Sequence, residues 1–350
     1  MTENDVKDPE LSGCSFAKTV LMLLVLFYHS ILFFSGTWFT KDPAEVSLPL
    51  TYLARWLNHF HIYGFALISG YLFHYGRIEC GKYPTYRGFL LQKAKRLLLP
   101  YVFVAALWVA PFHWFFFRCG PKELIDKYLL GKSANQLWFL LMLFGVFMIF
   151  YPLAGFFHRH TLLGAAVVLT CHAASLYLPY SFLSYYGLRH ALAYLPVFWL
   201  GFILRRDRDA APARLLRRIP SAVLVAAHVG LFALVEFLGG RVGGEATLLM
   251  HALRFSVTTG GAVMAFSVLV RLAERIPHRG RLFRLLTACS MPIYLFHQQI
   301  VYVAVTLMNR VMSPYLQVPI ITLLALGISL GISLLLLRFR YTRPLVGAKM

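Results

Sequence analysis

Charge is scarce in this chain. Only 14% of its 350 residues are charged, where an ordinary soluble domain carries roughly 25%, and carboxylates number 14 against 34 lysines and arginines. With 59% hydrophobic residues and a mean hydropathy of +0.65, that shortage excludes a soluble globular protein. Cysteine is sparse as well: Cys14, Cys80, Cys119, Cys171 and Cys289 are the only five and form no CxxC pair, so no disulfide framework is implied. HExxH, Walker and GxGxxG patterns are missing, which leaves resident metal and nucleotide folds without support. No internal repeat is visible.

Long apolar runs fill the space that charge leaves. Runs of about 17–25 residues suffice to cross a bilayer, and ten occur, near 16–36, 56–76, 97–117, 136–154, 161–178, 190–204, 221–238, 247–270, 287–308 and 319–337. The expected fold is therefore all-α: a polytopic integral membrane helical bundle of about ten transmembrane helices. A polar tail over 1–15 precedes a single transmembrane domain over 16–350. The first span is not a cleaved signal, because the run after Lys18 reaches Phe34 and continues as Ser35-Gly36-Thr37-Trp38 with no small-x-small site. Only Glu236 among the acids falls inside a span, which argues against proton pumping through carboxylate chains.

The net charge of +20 has a topological explanation. With the N-terminus inside, 24 of the 34 basic residues fall on one side, among them Lys7, Lys18, Lys82, Lys93, Lys95, Arg96, Arg205, Arg208, Arg279 and Lys349. The positive-inside bias puts both termini in the cytoplasm. Nucleic acid is not an expected partner; the lipid bilayer is.

Histidine is the titratable residue the spans contain, and a neutral imidazole costs far less to bury than a charge. His29 follows Lys18 by eleven residues. On a helix that is about 1100°, returning to within about 20° of one face some 16 Å further along. The pair can line one polar track, although a snorkelling lysine and a histidine bonded to a neighbouring helix would show the same spacing. His59 and His61, two residues apart, diverge, so one of them at most is expected to share a cavity with His29. Ser69-Gly70 reads as close helix packing. His297 lies deep in a span after Pro292. His113, His172, His228 and His251 read as structural or interfacial.

Six segments in order carry a family likeness: KTVLMLLVLFYH from Lys18 to His29, FHIYGFALISGYLF from Phe60 to Phe73, KAKRLLLPY from Lys93 to Tyr101, QLWFLLMLF from Gln136 to Phe144, YLPVFWLGFIL from Tyr194 to Leu204, and SMPIYLFHQQIV from Ser290 to Val301. Together they resemble the membrane-bound acyltransferase-3 family, which O-acylates sugars of bacterial surface polysaccharides and some small molecules. Phe60-His61 leading into ISGYLF looks closest to the fucose 4-O-acetylase-like and exopolysaccharide branch. Lysine replaces the family's common arginine at Lys18 and at Lys93, and offers a point charge in place of a two-point clamp.

The resemblance implies an O-acetyltransferase of the bacterial inner membrane. Acetyl-CoA is its donor substrate, with no permanently bound cofactor, and its acceptor is a sugar hydroxyl of a surface polysaccharide or lipid-linked precursor; a polysaccharide synthesis or export complex is a further implied partner. His29 is then the base or a transient acyl acceptor, because imidazole has the pKa to activate a hydroxyl near neutrality. His61 stabilises the oxyanion or positions the acceptor. Lys18, Lys93, Lys95 and Arg96 hold the donor's phosphates, while Trp138 and His297 contact the acceptor. Trp56, Tyr180, Tyr185 and Tyr186 are further candidates for stacking on sugar, though aromatics gather at any membrane interface. The rival reading is a glycan transporter without covalent chemistry.

Overall fold

Apolar runs in a bilayer leave the backbone no partner but itself, and helices form along every expected span. The computed structural model describes residues 9–36, 38, 43–241, 248–276 and 280–348; Lys7, Arg279 and Lys349 lie outside them. In chain order the helices are α1 (Pro9–Leu32), α2 (Leu48–Asn58), α3 (His61–His74), α4 (Tyr86–Val104), α5 (Ala110–Phe117), α6 (Pro121–Leu124), α7 (Trp138–Arg159) and α8 (Thr161–Tyr177). They continue as α9 (Tyr180–Leu183), α10 (Leu188–Arg206), α11 (Ala211–Arg218), α12 (Ser221–Arg241), α13 (Leu248–Arg275), α14 (Arg281–Met308) and α15 (Pro314–Arg338). Among the described residues no strand occurs. Among the described residues, eight helical stretches are long and apolar enough to cross a membrane. At the other two expected spans the helices are shorter, α8 with 17 residues and α3 with 14 that run on as a five-residue π turn to Glu79, so eight of the expected ten are long enough to cross.

Three boundaries differ from expectation for identifiable reasons. Helix α1 starts at Pro9, inside the stretch read as a tail, because Glu10 is held by the Tyr71 hydroxyl and by Arg205 while Leu11 and Cys14 are buried. The expected span from 56 is divided: α2 ends at Asn58 and α3 begins at His61. Between the expected spans that end at 117 and 204 and those that follow them, the chain forms the short helices α6 and α11.

Helix α1 lies at the centre, packed on α2, α3, α13, α14 and α15. Helices α1 and α14 run side by side in parallel. Thr19 Oγ1 meets Thr287 Oγ1 at 2.9 Å and His29 meets His297 at 3.2 Å, each pair 268 residues apart. Two contacts ten residues apart on both helices, about 15 Å along the axes, fix their register. Helices α3 and α10 cross at backbone distance. A Cβ at Gly70 would lie 1.9 Å from the Phe198 carbonyl oxygen, and one at Gly201 would lie 1.9 Å from that of Leu67. The packing reading of Ser69-Gly70 is the one observed.

Candidate active site

His29 occupies the last turn of α1, His61 the first residue of α3 and His297 the interior of α14. The fold brings all three to one end of the bundle. His29 Nδ1 lies 2.8 Å from the Val25 carbonyl and 3.2 Å from His297 Nε2. The Tyr28 ring bridges to His61 at 4.7 Å between centroids, and His29 and His61 interact electrostatically. His61 and His297 are each 1% exposed, whereas His29 is half-buried beneath Trp38, 5.4 Å away. His29 is thus the most exposed of the three. His59 points elsewhere, onto Phe232.

Carbonyl oxygens accept and never donate, so the ring nitrogen facing one carries the proton. His61 Nδ1 sits 2.6 Å from Leu57 O. Its proton is committed there, and Nε2 of the neutral ring keeps a lone pair. In that tautomer Nε2 can accept a hydrogen bond and has no proton to donate.

Eleven residues before His29, near the middle of α1, Lys18 shares an electrostatic cluster with Lys93 and Arg96. Among the described residues none of these three pairs with a carboxylate. Lys93 caps an aromatic cage, its Nζ 4.1 Å from the Phe147 ring centre with Phe89 and Tyr83 beyond. Lys95 does not join. Residues 93 and 96 share a helix face, and a residue two positions after Lys93 lies on another side; Lys95 and Arg96 are both exposed, Lys93 partly buried.

Nearby arginines behave differently. Arg205 is 3% exposed and grips Glu79 through Nε and Nη2, both at 2.7 Å; Nη1 reaches Tyr71 at 3.2 Å and Glu10 at 3.6 Å. This buried knot ties α1, α3 and α10, so Arg205 is more than a topological charge. Arg206 pairs with Asp207, beyond the end of α10, and holds its carboxyl below the usual carboxylate range. Lys18, Lys93 and Arg96 differ from these arginines in being grouped together with no acid partner among the described residues.

A family model described as an acyltransferase domain, of the acyltransferase-3 type, matches residues 13–338. The chain belongs to the acyltransferase-3 family. With eight helices able to cross a bilayer, it is a multi-pass membrane acyltransferase. No curated protein and no solved structure matches it significantly.

In this acyltransferase-3 chain, Trp138 belongs to a neighbouring aromatic group. Its ring lies 4.7 Å from exposed His190 and 5.7 Å from Tyr194, which stacks on Tyr63 at 4.5 Å. Trp56 is turned away, donating to His228 Nδ1 at 3.1 Å. Tyr180 and Tyr185 have cations over their faces, Arg189 and Lys132 respectively. An amide lock behind His297 escaped the sequence reading. Gln136 Nε2 donates to Gln299 Oε1 at 2.7 Å and to Leu295 O at 3.3 Å; Gln299 Nε2 returns a bond to Gln136 Oε1 at 3.3 Å. Trp108 Nε1 donates to the same Gln299 oxygen at 3.1 Å, and the Tyr294 hydroxyl donates to Gln136 O. The signal was present: glutamines in apolar spans need partners, and each sits inside a family-like segment.

Proposed function

We propose that this protein is an O-acetyltransferase that moves an acetyl group from cytoplasmic acetyl-CoA to a sugar hydroxyl of a bacterial surface or exopolysaccharide, or its lipid-linked precursor. The observation that carries this reading is that one helix, α1, bears Lys18 near its middle, in a cation cluster without acid partners among the described residues, and half-buried His29 in its last turn. Phosphates of the donor suit the cations. The lone pair at His29 Nε2 suits the reacting end, where it takes the hydroxyl proton or attacks the thioester itself; a hydroxylamine-labile label on the quenched protein marks the second route. His61 Nε2 holds the acceptor hydroxyl, and Trp138 with Tyr194 and His190 forms the approach for the sugar. The fucose 4-O-acetylase-like branch is the closest model for the acceptor. Radiolabelled acetyl-CoA supplied to purified protein with methyl glycosides tests the whole reading: alkali-labile label on the sugar supports it, and glycan flux without CoA release sinks it.

Donor binding separates from topology at the cation cluster. Charge-assisted hydrogen bonds contribute about 1.5–3 kcal/mol each, so Lys18→Gln and Arg96→Gln should each raise the acetyl-CoA KM roughly tenfold or more, with the acceptor KM little changed. Arg96→Lys should raise it too, since lysine lacks the two-point grip. Lys95→Gln, on another side of α4 from Lys93 and Arg96, should leave donor saturation alone. Equal KM values for all four variants in correctly inserted protein would return the cluster to a topological role.

The proposed orientation has both termini in the cytoplasm of a bacterium and the chain in its inner membrane, a reading supported by the basic residues on one side. A cysteine replacing exposed Glu45 should then react with an impermeant maleimide in intact cells. Ser47 is an unsuitable reporter, being 4% exposed and bonded to the Tyr315 hydroxyl. Labelling at Glu45→Cys only after permeabilisation would reverse the orientation.

A further inference from the structure

The hydrogen-bond geometry around His29 assigns its protons. His297 Nδ1 lies 2.8 Å from the Tyr294 carbonyl, which can only accept, so that nitrogen carries the proton and His297 Nε2 presents a lone pair. His29 Nδ1 faces this lone pair at 3.2 Å and the Val25 carbonyl at 2.8 Å. Two acceptors converge on one nitrogen. The tautomer with its proton on Nε2 would set the His29 Nδ1 lone pair against both; the tautomer with the proton on Nδ1 satisfies both and frees Nε2.

We propose that His297 is the positioning residue for His29: through the His29 Nδ1–H to His297 Nε2 hydrogen bond it fixes the tautomer that exposes Nε2 and stabilises the imidazolium formed when Nε2 takes a proton. This rests on the acyltransferase reading above. In direct transfer, the acceptor O–H proton passes to His29 Nε2 as its oxygen bonds to the thioester carbonyl carbon. The carbon–sulfur bond then breaks, and the CoA thiolate recovers that proton from Nε2. The Nδ1 proton stays in place throughout, in a bond that becomes charge-assisted while His29 is cationic. A buried carboxylate holds the corresponding position in serine-hydrolase triads; among the described residues no carboxylate contacts His29. The titratable side chains facing it are Tyr28 beside it on α1, His61 from α3 and His297 from α14.

His297 is itself held. The Gln136–Gln299 amide pair, the Leu295 carbonyl and the Tyr294 hydroxyl clamp α14 on both sides of it in sequence. The parallel register with α1 then delivers its ring to His29.

The test uses full-length protein in lipid nanodiscs, with acetyl-CoA and the methyl glycoside that accepts best. His297→Leu should lower kcat at least 100-fold with the acetyl-CoA KM within twofold of wild type. His297→Gln, whose amide oxygen can accept from Nδ1–H, should keep at least a tenth of the rate. His297→Glu places a carboxylate beside the imidazolium, which favours the charged form, and should move the acid limb of the kcat profile upward by a pH unit or more. Independently of turnover, ¹⁵N imidazole spectra should show the His29 Nδ1-protonated tautomer in wild type and a mixture in His297→Leu. Equal losses for Leu and Gln, an unmoved acid limb with Glu, or an unchanged tautomer in the Leu variant would each overturn the assignment. Failure of the acyltransferase reading looks different: His29→Ala would then transfer acetyl at the wild-type rate, or no variant including wild type would transfer at all while the tautomer still responds to His297.

Discussion

His29→Ala is expected to abolish acetyl transfer while leaving expression and melting temperature nearly unchanged. Loss of a positioned base lowers rates by about 10²–10⁴-fold, and His29 is half-buried, so its removal opens no sealed cavity. Its two bonds end on a carbonyl already inside the α1 backbone ladder and on His297, whose other nitrogen stays bonded to Tyr294. Single-turnover assays with labelled acetyl-CoA, alongside thermal unfolding in detergent, give both halves of the result. Wild-type rates would remove His29 from the chemistry. A collapsed melting temperature would leave the rate uninterpretable, and His29→Gln, which keeps volume and a polar end, is then the variant to assay.

The second large effect is on folding. Gly70→Ala forces a methyl against the Phe198 carbonyl, and Gly201→Ala one against that of Leu67. Both obstacles are backbone, so neither can rotate aside. Overpacking of a yielding core costs about 1–3 kcal/mol; here α3 and α10 must separate along their length, and the loss should exceed that range. Each variant should show a sharply lower melting temperature and faster proteolysis, and the double variant should fall short of the sum, because one separation relieves both clashes. Gly327→Ala is the control, since nothing lies within 4 Å of its Cβ position. If Gly70→Ala melts like Gly327→Ala, the crossing is looser than described.

Hydropathy made the spans legible because length and apolarity are properties of each segment alone. What escaped depends on partners. Glu10 and the serines near it read as a tail, yet Tyr71 and Arg205 receive Glu10 and the helix extends to Pro9. Spacing showed that His59 and His61 diverge; only the turn at Phe60 decides that His61 faces His29. The basic run looked uniform, and helical phase divides it, with Lys93 and Arg96 beside Lys18 and Lys95 apart. The Gln136–Gln299 pair joins residues 163 positions apart, a distance over which no local pattern speaks.

The parallel pairing of α1 with α14 also sets an order of birth. His29 leaves the ribosome among the first residues and His297 follows 268 positions later; at about 5–20 residues per second that is a wait of roughly 13–54 s. During that interval α1 sits in the bilayer with its polar stripe unmatched. Nascent chains stalled before α14 therefore hold Lys18, Lys93 and Arg96 but no histidine pair, and the His29–His297 contact forms only as α14 arrives.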